Sequence, residues 1–221
     1  MTKTTTTTTT TTILFTITTL ASMVLISTCS ELRLVELSYT YNLDAPTTPK
    51  LRGFTYTQLQ KGRNDKGIWV ELGEFFSSEH SGTHLDAPSH YAYNKWSVEE
   101  IPLDRLWRVP GVAIDLSQTI EKSGHVNHIL TPDDLESWEE EHGVIPDGAV
   151  VFVRTGWGDK VGDIQDYSGL DEHGSNNFPG IGMEAAQWLT KHGQTHKHTR
   201  GVLGYGVDTI SVDVGNSTHY K

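Results

Sequence analysis

The 221-residue chain has one cysteine, few basic residues and no long apolar segment. With Cys29 alone, no intramolecular disulfide can form, and a chain cleaved after it would also lack a thiol nucleophile. The formal charge of −11, from 17 basic and 28 acidic residues, argues against binding to nucleic-acid phosphates. No window holds about 18 consecutive apolar residues, which argues against a conventional membrane-spanning helix.

The N-terminus has the features of a secretory signal peptide. Lys3 precedes a threonine run at residues 4–12, an apolar stretch at 13–26 and small residues at 27–30. A basic start, an apolar centre and a small-residue exit are typical of such signals. We therefore predict a signal peptide at residues 1–29, secretion, and a domain at 31–221 with no membrane span after cleavage. A short uncleaved anchor or a mis-assigned start is the alternative.

The remainder alternates predicted strands with predicted helices, which is typical of a mixed α/β domain. Thr131 before Pro132 marks a helix start, because threonine is favoured at the N-cap and proline at the first helical position. That helix is expected to reach His142, since Gly143 is a stop signal. A second helix is predicted at 182–192. Strands are predicted at 32–37, 67–76, 112–116, 149–154, 202–207 and 210–214.

Residues 80–90 concentrate the chemistry of the chain. Their sequence is His-Ser-Gly-Thr-His-Leu-Asp-Ala-Pro-Ser-His, with ligand-type side chains at His80, His84, Asp86 and His90. Imidazole nitrogens and carboxylate oxygens bind Zn²⁺ and other first-row divalent ions. The even spacing lets the side chains converge on an extended backbone, and a helical turn would also bring His80 and His84 together. The sequence leaves both backbones open.

A ligand set of His80, His84 and Asp86 leaves coordination positions open for water or substrate, as in catalytic sites. A metal there would lower the pKa of water towards neutrality. His90 lies beyond Pro88, so we expect it to act as a proton shuttle rather than as a ligand. The cofactor predicted from these residues is zinc or manganese, as one or two ions.

The same segment resembles the H-x-G-T-H-x-D-x-P-x-H signature of the metal-dependent cyclase-like hydrolases, which include bacterial-type kynurenine formamidase and isatin hydrolase. The resemblance extends over residues 31–221. Further stretches that follow the family order lie at 35–38, 110–116, 154–157, 178–189 and 206–213.

The resemblance implies a swivelling β/β/α fold, with a mixed sheet and flanking helices, that commonly forms homo-oligomers. It also implies hydrolysis of carbon–nitrogen bonds other than peptide bonds, with Asp86 able to bridge two ions and His90 as the acid/base. We predict an arylformamidase-like enzyme of tryptophan catabolism that converts N-formyl-L-kynurenine, a small aryl amide, to L-kynurenine and formate. Isatin hydrolase or another cyclic-amide hydrolase is one alternative. A metal-binding homologue with impaired catalysis is the other.

The C-terminal segment departs from the family pattern. Members with two metal ions take a further His and then a Glu from beyond a Gly-x-Ser, which corresponds to residues 215–217. Here the sequence ends at Lys221, His219 falls too early to be assumed equivalent, and no later Glu follows. We expect a C-terminally truncated chain; a one-metal site or impaired activity is the alternative.

Aromatic residues near the motif are candidates for a substrate pocket. Tyr91 and Trp96 follow the motif directly, and Trp157 follows a predicted strand. We predict that all three line an aryl pocket, with ordinary packing as the alternative.

Three further histidines, His192, His196 and His198, lie in a stretch rich in Gly, Thr and Lys. We predict that this stretch is a solvated loop rather than a metal site. Asp208 and Asp213 follow apolar runs and are expected to make hydrogen bonds in turns.

Overall fold

The computed structural model describes residues 33–48 and 50–217. The chain divides into two units, Met1–Glu36 and Leu37–Lys221. Residues 33–36 of the first unit are exposed and form neither helix nor strand, and every element below belongs to the second unit. The predicted signal peptide and His219 lie outside the described residues.

The second unit contains one antiparallel hairpin, two parallel strand groups and four α-helices within the described residues. The strands are β1 (Thr55–Arg63), β2 (Trp69–Phe76), β3 (Gly111–Asp115), β4 (Ile129–Leu130), β5 (Val150–Arg154), β6 (Gly180–Ile181) and β7 (Gly204–Val207). The helices are α1 (Ser117–Ser123), α2 (Pro132–His142), α3 (Ile164–Ser168) and α4 (Met183–Thr195). Strands β1 and β2 pair with each other, β3, β5 and β7 form a parallel sheet in the order β3-β5-β7, and β4 pairs with β6.

The parallel sheet supplies one wall of the hydrophobic core. Val112 pairs with Val151 and Ile114 with Val153, and all four side chains are buried on one face. The intervening Phe152 points to the other face and is half exposed, as the two-residue period of a strand requires. These strands coincide with two of the apolar runs in the sequence.

The helices cover the buried side of the sheet and complete the core. Helix α2 begins with a capping box, in which the Asp134 N–H donates to the Thr131 hydroxyl and the Thr131 N–H donates to the Asp134 carboxylate. Leu135 of α2 and Leu189 of α4 belong to the same core cluster as the strands. The predicted α/β class, with a sheet flanked by helices, is confirmed. None of the helices in the described part of the chain is long and apolar enough to cross a membrane.

Two predicted strands are wrong, and three strands, β1, β4 and β6, were missed. Described residues 33–37 and residues 210–214 form no strand. The 210–214 segment is a loop that contacts β6, where the Ile181 N–H donates to the carbonyl of Val212. Strand β1 was missed because its sequence is mostly polar and lies largely exposed beside β2, so no apolar alternation marks it.

Helix α4 continues past the predicted end at His192 to Thr195. Gly193 is a weak helix former, but a Cβ there would lie 2.7 Å from the Cα of Gly201. The glycine therefore allows the loop around Gly201 to pass close to the helix. The prediction of a solvated loop at residues 192–198 is wrong for its first part.

Candidate functional site

The motif lies in the connection that follows β2. Residues 77–87 form neither helix nor strand, which settles the backbone alternatives in favour of an irregular loop. The loop is anchored by a bridge between Thr47 and the buried Ser81, whose hydroxyls lie 2.7 Å apart. Gly82 donates its N–H to the carbonyl of Pro46 and has a φ of 63°, a left-handed conformation that favours glycine.

The loop brings three of the predicted residues together. His80 Nδ1 lies 2.8 Å from an Asp86 carboxylate oxygen, and His84 Nε2 lies 3.4 Å from the same oxygen. One ligand atom from each of the three residues lies within 4.8 Å of the other two. Side-chain exposure rises from 20% at His80 to 47% at Asp86, so the group is accessible from solvent.

The donor set fits a divalent metal ion. Ligands bonded at about 2.0–2.2 Å around a tetrahedral ion lie roughly 3.4 Å apart, which equals the distance from His84 Nε2 to the Asp86 oxygen and exceeds the 2.8 Å from His80 Nδ1. His84 Nδ1 lies 2.8 Å from the carbonyl oxygen of Gly82. A histidine that donates one ring N–H to a carbonyl presents its other nitrogen to a metal, so this contact orients Nε2 of His84 towards Asp86.

His90 lies beside this group. Pro88 begins a 3₁₀ helix, Pro88–His90, which returns the chain towards the start of the motif. As a result, the His90 and His80 rings lie 4.1 Å apart between centroids. This position allows His90 to exchange protons with a molecule at the three-residue group. Its role as an acid/base stays a prediction.

Two of the three predicted aromatic residues extend from the same region. The Tyr91 ring packs edge-on against His90, at 4.2 Å between centroids, and its residue is 73% exposed. The Ser89 N–H donates to the carbonyl of Trp96, which holds the segment 91–96 against the end of the motif. The Arg105 guanidinium lies over the Trp96 ring at 5.5 Å.

Trp157 has a different environment. Its side chain is buried, its indole N–H donates to the carbonyl of Tyr167, and the Lys160 ammonium lies 3.4 Å above the ring. These contacts are typical of a packed core residue. A place for Trp157 in the substrate pocket stays a prediction.

Asp208 makes hydrogen bonds in a turn, as predicted. Its carboxylate accepts the N–H and the hydroxyl of Thr155 and the N–H of Gly156. These bonds fix the turn that follows β5 against the end of β7. The carboxylate is therefore occupied by structural hydrogen bonds.

A second group of ligand-type side chains consists of His192 and His196, which the sequence analysis assigned to a solvated loop, and Glu139, which it did not single out. His192 Nε2 lies 2.8 Å from a carboxylate oxygen of Glu139, and His196 Nε2 lies 3.8 Å from the other oxygen. Burial lowers the pKa of His192, against the opposing effect of the Glu139 carboxylate. The four-residue spacing of the two histidines was the available signal, because it places both on one helix face once α4 is extended.

The comparison with protein families gives one broad match. The family model “Putative cyclase”, of the Cyclase family, matches residues 35–214. A curated relative, an isatin hydrolase of Roseibium aggregatum, is 32% identical over 153 residues. The alignment covers 67% of this chain and 52% of the relative, so the chain spans about half the length of that protein.

Solved structures show the same similarity. Isatin hydrolase A from Ralstonia solanacearum matches with a TM-score of 0.72 and 32% identity, covering 85% of this chain and 71% of that one. Isatin hydrolase A from Labrenzia aggregata, bound to benzyl benzoate, matches with a TM-score of 0.70 and 31% identity, covering 85% and 72%. An isatin hydrolase bound to the product analogue thioisatinate has a TM-score of 0.68 and 25% identity, covering 82% and 69%.

Proposed function

The chain belongs to the Cyclase family, and we propose that it is a metal-dependent hydrolase that opens a small cyclic amide of the isatin type. One observation carries the proposal: the ligand atoms of His80, His84 and Asp86 converge, with the His90 ring against them. The relatives named isatin hydrolase, at up to 32% identity, support the substrate class.

In this proposal His80, His84 and Asp86 hold the metal. A divalent ion in such a set supplies a Lewis acid for a carbonyl oxygen and a water that ionises near neutral pH. Two imidazoles and one carboxylate suit zinc, and manganese accepts the same oxygen and nitrogen donors. The Gly82 carbonyl keeps His84 oriented for this task.

His90 is the proposed proton carrier. Opening a cyclic amide breaks the carbon–nitrogen bond, adds hydroxide to the carbonyl carbon and adds a proton to the departing nitrogen. His90 is suited to accept a proton from water and return it to nitrogen, because the ordinary pKa of histidine is close to neutral. Its ring contact with His80 places it within reach of the same substrate.

Tyr91 and Trp96 are the proposed aromatic walls. Both extend from the segment directly after the motif, and both rings are substantially exposed. A flat aryl substrate would stack or pack edge-on against such rings, which contribute apolar contact with a defined geometry. Their proposed effect is on substrate affinity rather than on metal binding.

Isatin is preferred over N-formylkynurenine as the proposed substrate. The formamidase reaction was the first prediction from the sequence, but the matched relatives are isatin hydrolases. Both reactions cleave an amide bond attached to an aryl nitrogen, so the same four residues could serve either one. The choice depends on the pocket and requires a direct comparison of substrates.

The test is a hydrolysis assay on the purified chain with isatin and N-formylkynurenine, each with and without added Zn²⁺ or Mn²⁺. We expect metal-dependent opening of isatin and a lower kcat/KM for N-formylkynurenine. Metal-stripped protein and Asp86→Ala protein are the controls, and both should be inactive. Faster cleavage of N-formylkynurenine would reject isatin as the preferred substrate, and metal-loaded protein that cleaves neither would reject the enzyme in favour of a binding protein.

We also propose that the protein forms a homo-oligomer. Secretion, predicted from the N-terminal sequence, remains a separate proposal. Several large apolar side chains of the β1–β2 hairpin are exposed, among them Trp69, Leu72 and Phe75. Exposed apolar side chains in this number are a common feature of surfaces that bind another protein chain. They support a homo-oligomer.

A further inference from the structure

The second group of ligand-type side chains lies between two helices, apart from the motif in sequence. Glu139 is on α2, His192 is on α4, and His196 caps the C-terminal end of α4. One ligand atom from each residue lies within 4.8 Å of the other two. Two imidazoles and one carboxylate are a donor set that divalent first-row metals prefer.

Burial distinguishes this group from surface histidines. The side chains of His192 and Glu139 are 0% and 13% exposed, and that of His196 is 29% exposed. The Ile145 N–H donates to Glu139 Oε1 at 2.7 Å, which fixes the carboxylate facing the histidines. Hydrogen bonds of this kind to a ligating carboxylate orient metal ligands in proteins.

A simple helix-to-helix hydrogen bond accounts for only part of the arrangement. The contact between His192 and Glu139 would be sufficient to tie α4 to α2. It does not account for His196, whose Nε2 faces the second carboxylate oxygen at 3.8 Å, beyond hydrogen-bond distance. An ion between the three side chains would bring all of these donors into use.

We propose that Glu139, His192 and His196 form a second metal site that binds a divalent first-row cation, such as Zn²⁺, and joins α2 to α4. All three residues line a cavity of about 310 Å³, which is lined also by Trp188 and Lys191, so an ion held there would be within reach of a further small ligand.

His198 completes the surroundings of the site. Its ring lies 5.5 Å from that of His192 and 5.8 Å from that of His196. Its buried Nδ1 has no hydrogen-bond partner among residues 33–48 and 50–217. That nitrogen lies 3.9 Å from a carboxylate oxygen of Asp147, so His198 borders the site without belonging to the converging group.

The experiment measures zinc in the unaltered chain and in three variants, His196→Ala, His84→Ala/Asp86→Ala and the triple variant that combines them, together with one control variant. Each is stripped of metal, loaded with Zn²⁺, desalted and analysed for zinc content. His196→Ala is chosen because it leaves the contact between His192 and Glu139 intact. His173→Ala, which removes an exposed histidine, is the matched control.

We expect the His84→Ala/Asp86→Ala protein to retain about one zinc per chain and the triple variant to retain almost none. His196→Ala alone should lose about one zinc, while His173→Ala should lose none. The proposal is overturned if the His84→Ala/Asp86→Ala protein holds no zinc, or if adding His196→Ala leaves its zinc content unchanged. The comparison between the His84→Ala/Asp86→Ala protein and the triple variant does not depend on whether the motif binds metal, because both proteins lack His84 and Asp86.

A second readout separates metal binding from loss of folding. Zn²⁺ should raise the unfolding temperature of the His84→Ala/Asp86→Ala protein, because a ligand that binds the folded state stabilises it. The triple variant should show the same unfolding temperature with and without Zn²⁺, and circular dichroism should show equal helix content. An equal zinc-induced rise in both proteins would contradict the assignment of His196.

Discussion

His84 shows how one side chain joins loop geometry to the proposed chemistry. Its Nδ1 contacts the carbonyl of Gly82, and its Nε2 lies 3.4 Å from Asp86. The left-handed conformation of Gly82 forms part of the turn that makes this possible. Residue identity in the motif was readable from the sequence, whereas this orientation depends on contacts with the distant segment around Pro46.

His90 provides the first prediction at this scale. Replacing it with alanine should lower kcat for isatin by about 10²–10⁴-fold, the range for loss of a general acid/base. Metal content should stay unchanged, because His90 lies outside the ligand set. Steady-state kinetics and zinc analysis on the same sample provide both measurements.

The control for His90→Ala is His125→Ala, which alters an exposed histidine after α1. It should retain full activity and zinc. If His90→Ala is as active as this control, His90 has no part in proton transfer. If it loses zinc, its role is to hold the metal, contrary to the proposal.

Glu139 marks the limit of residue-level prediction. His192 and His196 were visible as a cluster, but their carboxylate partner lies 53 residues earlier than His192. Its pairing depends on the packing of α2 against α4. The spacing of residues along the sequence therefore could not predict the contact between Glu139 and His192.

Among the connecting segments, Asp147 joins the turn before β5 to the loop before β7. Its carboxylate accepts the hydroxyl of Thr199 and the N–H groups of Thr199, Arg200 and Gly201. These bonds, chiefly that from the Thr199 hydroxyl, hold the pKa of Asp147 well below its usual range. The ionised form is therefore favoured in the folded state.

This pKa predicts a pH-dependent effect of Asp147→Asn. A depressed carboxyl pKa contributes stability above the ordinary value of 3.8, and the contribution is lost as pH falls through the folded-state pKa. We expect the variant to unfold at lower urea concentration than the unaltered protein at pH 7. The difference should stay nearly constant from pH 7 down to about one unit above the ordinary value of 3.8, and then shrink as pH falls further, because the unfolded carboxyl is protonated there before the folded one.

Urea unfolding followed by circular dichroism at several pH values tests this expectation. Glu172→Gln, at an exposed acidic residue, is the control and should show no comparable pH-dependent difference. A deficit for Asp147→Asn that stays constant across the pH range would contradict the electrostatic explanation.

Element prediction succeeded where a local signal matched the packing. The capping sequence at Thr131 and the apolar run at residues 150–154 both identify elements that the structure contains. The run at 210–214 alternates apolar and polar residues, as a strand would, but forms a loop, since Val212 contacts β6 and the backbone of Val214 passes close to Gly180. The conformation of residues 210–214 therefore depends on contacts with distant residues, which the apolar periodicity of the segment does not indicate.

For the whole molecule, the sequence was sufficient for the α/β class and for the family. The family match spans residues 35–214, and the structural matches cover up to 85% of the chain. Substrate choice was less accessible, because the pocket combines side chains from separate segments. The comparisons therefore shift the proposed substrate from N-formylkynurenine to isatin.

The central claim is that His80, His84 and Asp86 bind one metal ion. The most direct measurement is anomalous X-ray diffraction at the zinc edge from crystals of the zinc-loaded protein. The account predicts an anomalous peak bounded by these three side chains, with bonds of about 2.0–2.2 Å. Bound zinc that gives no peak at this position would contradict the account.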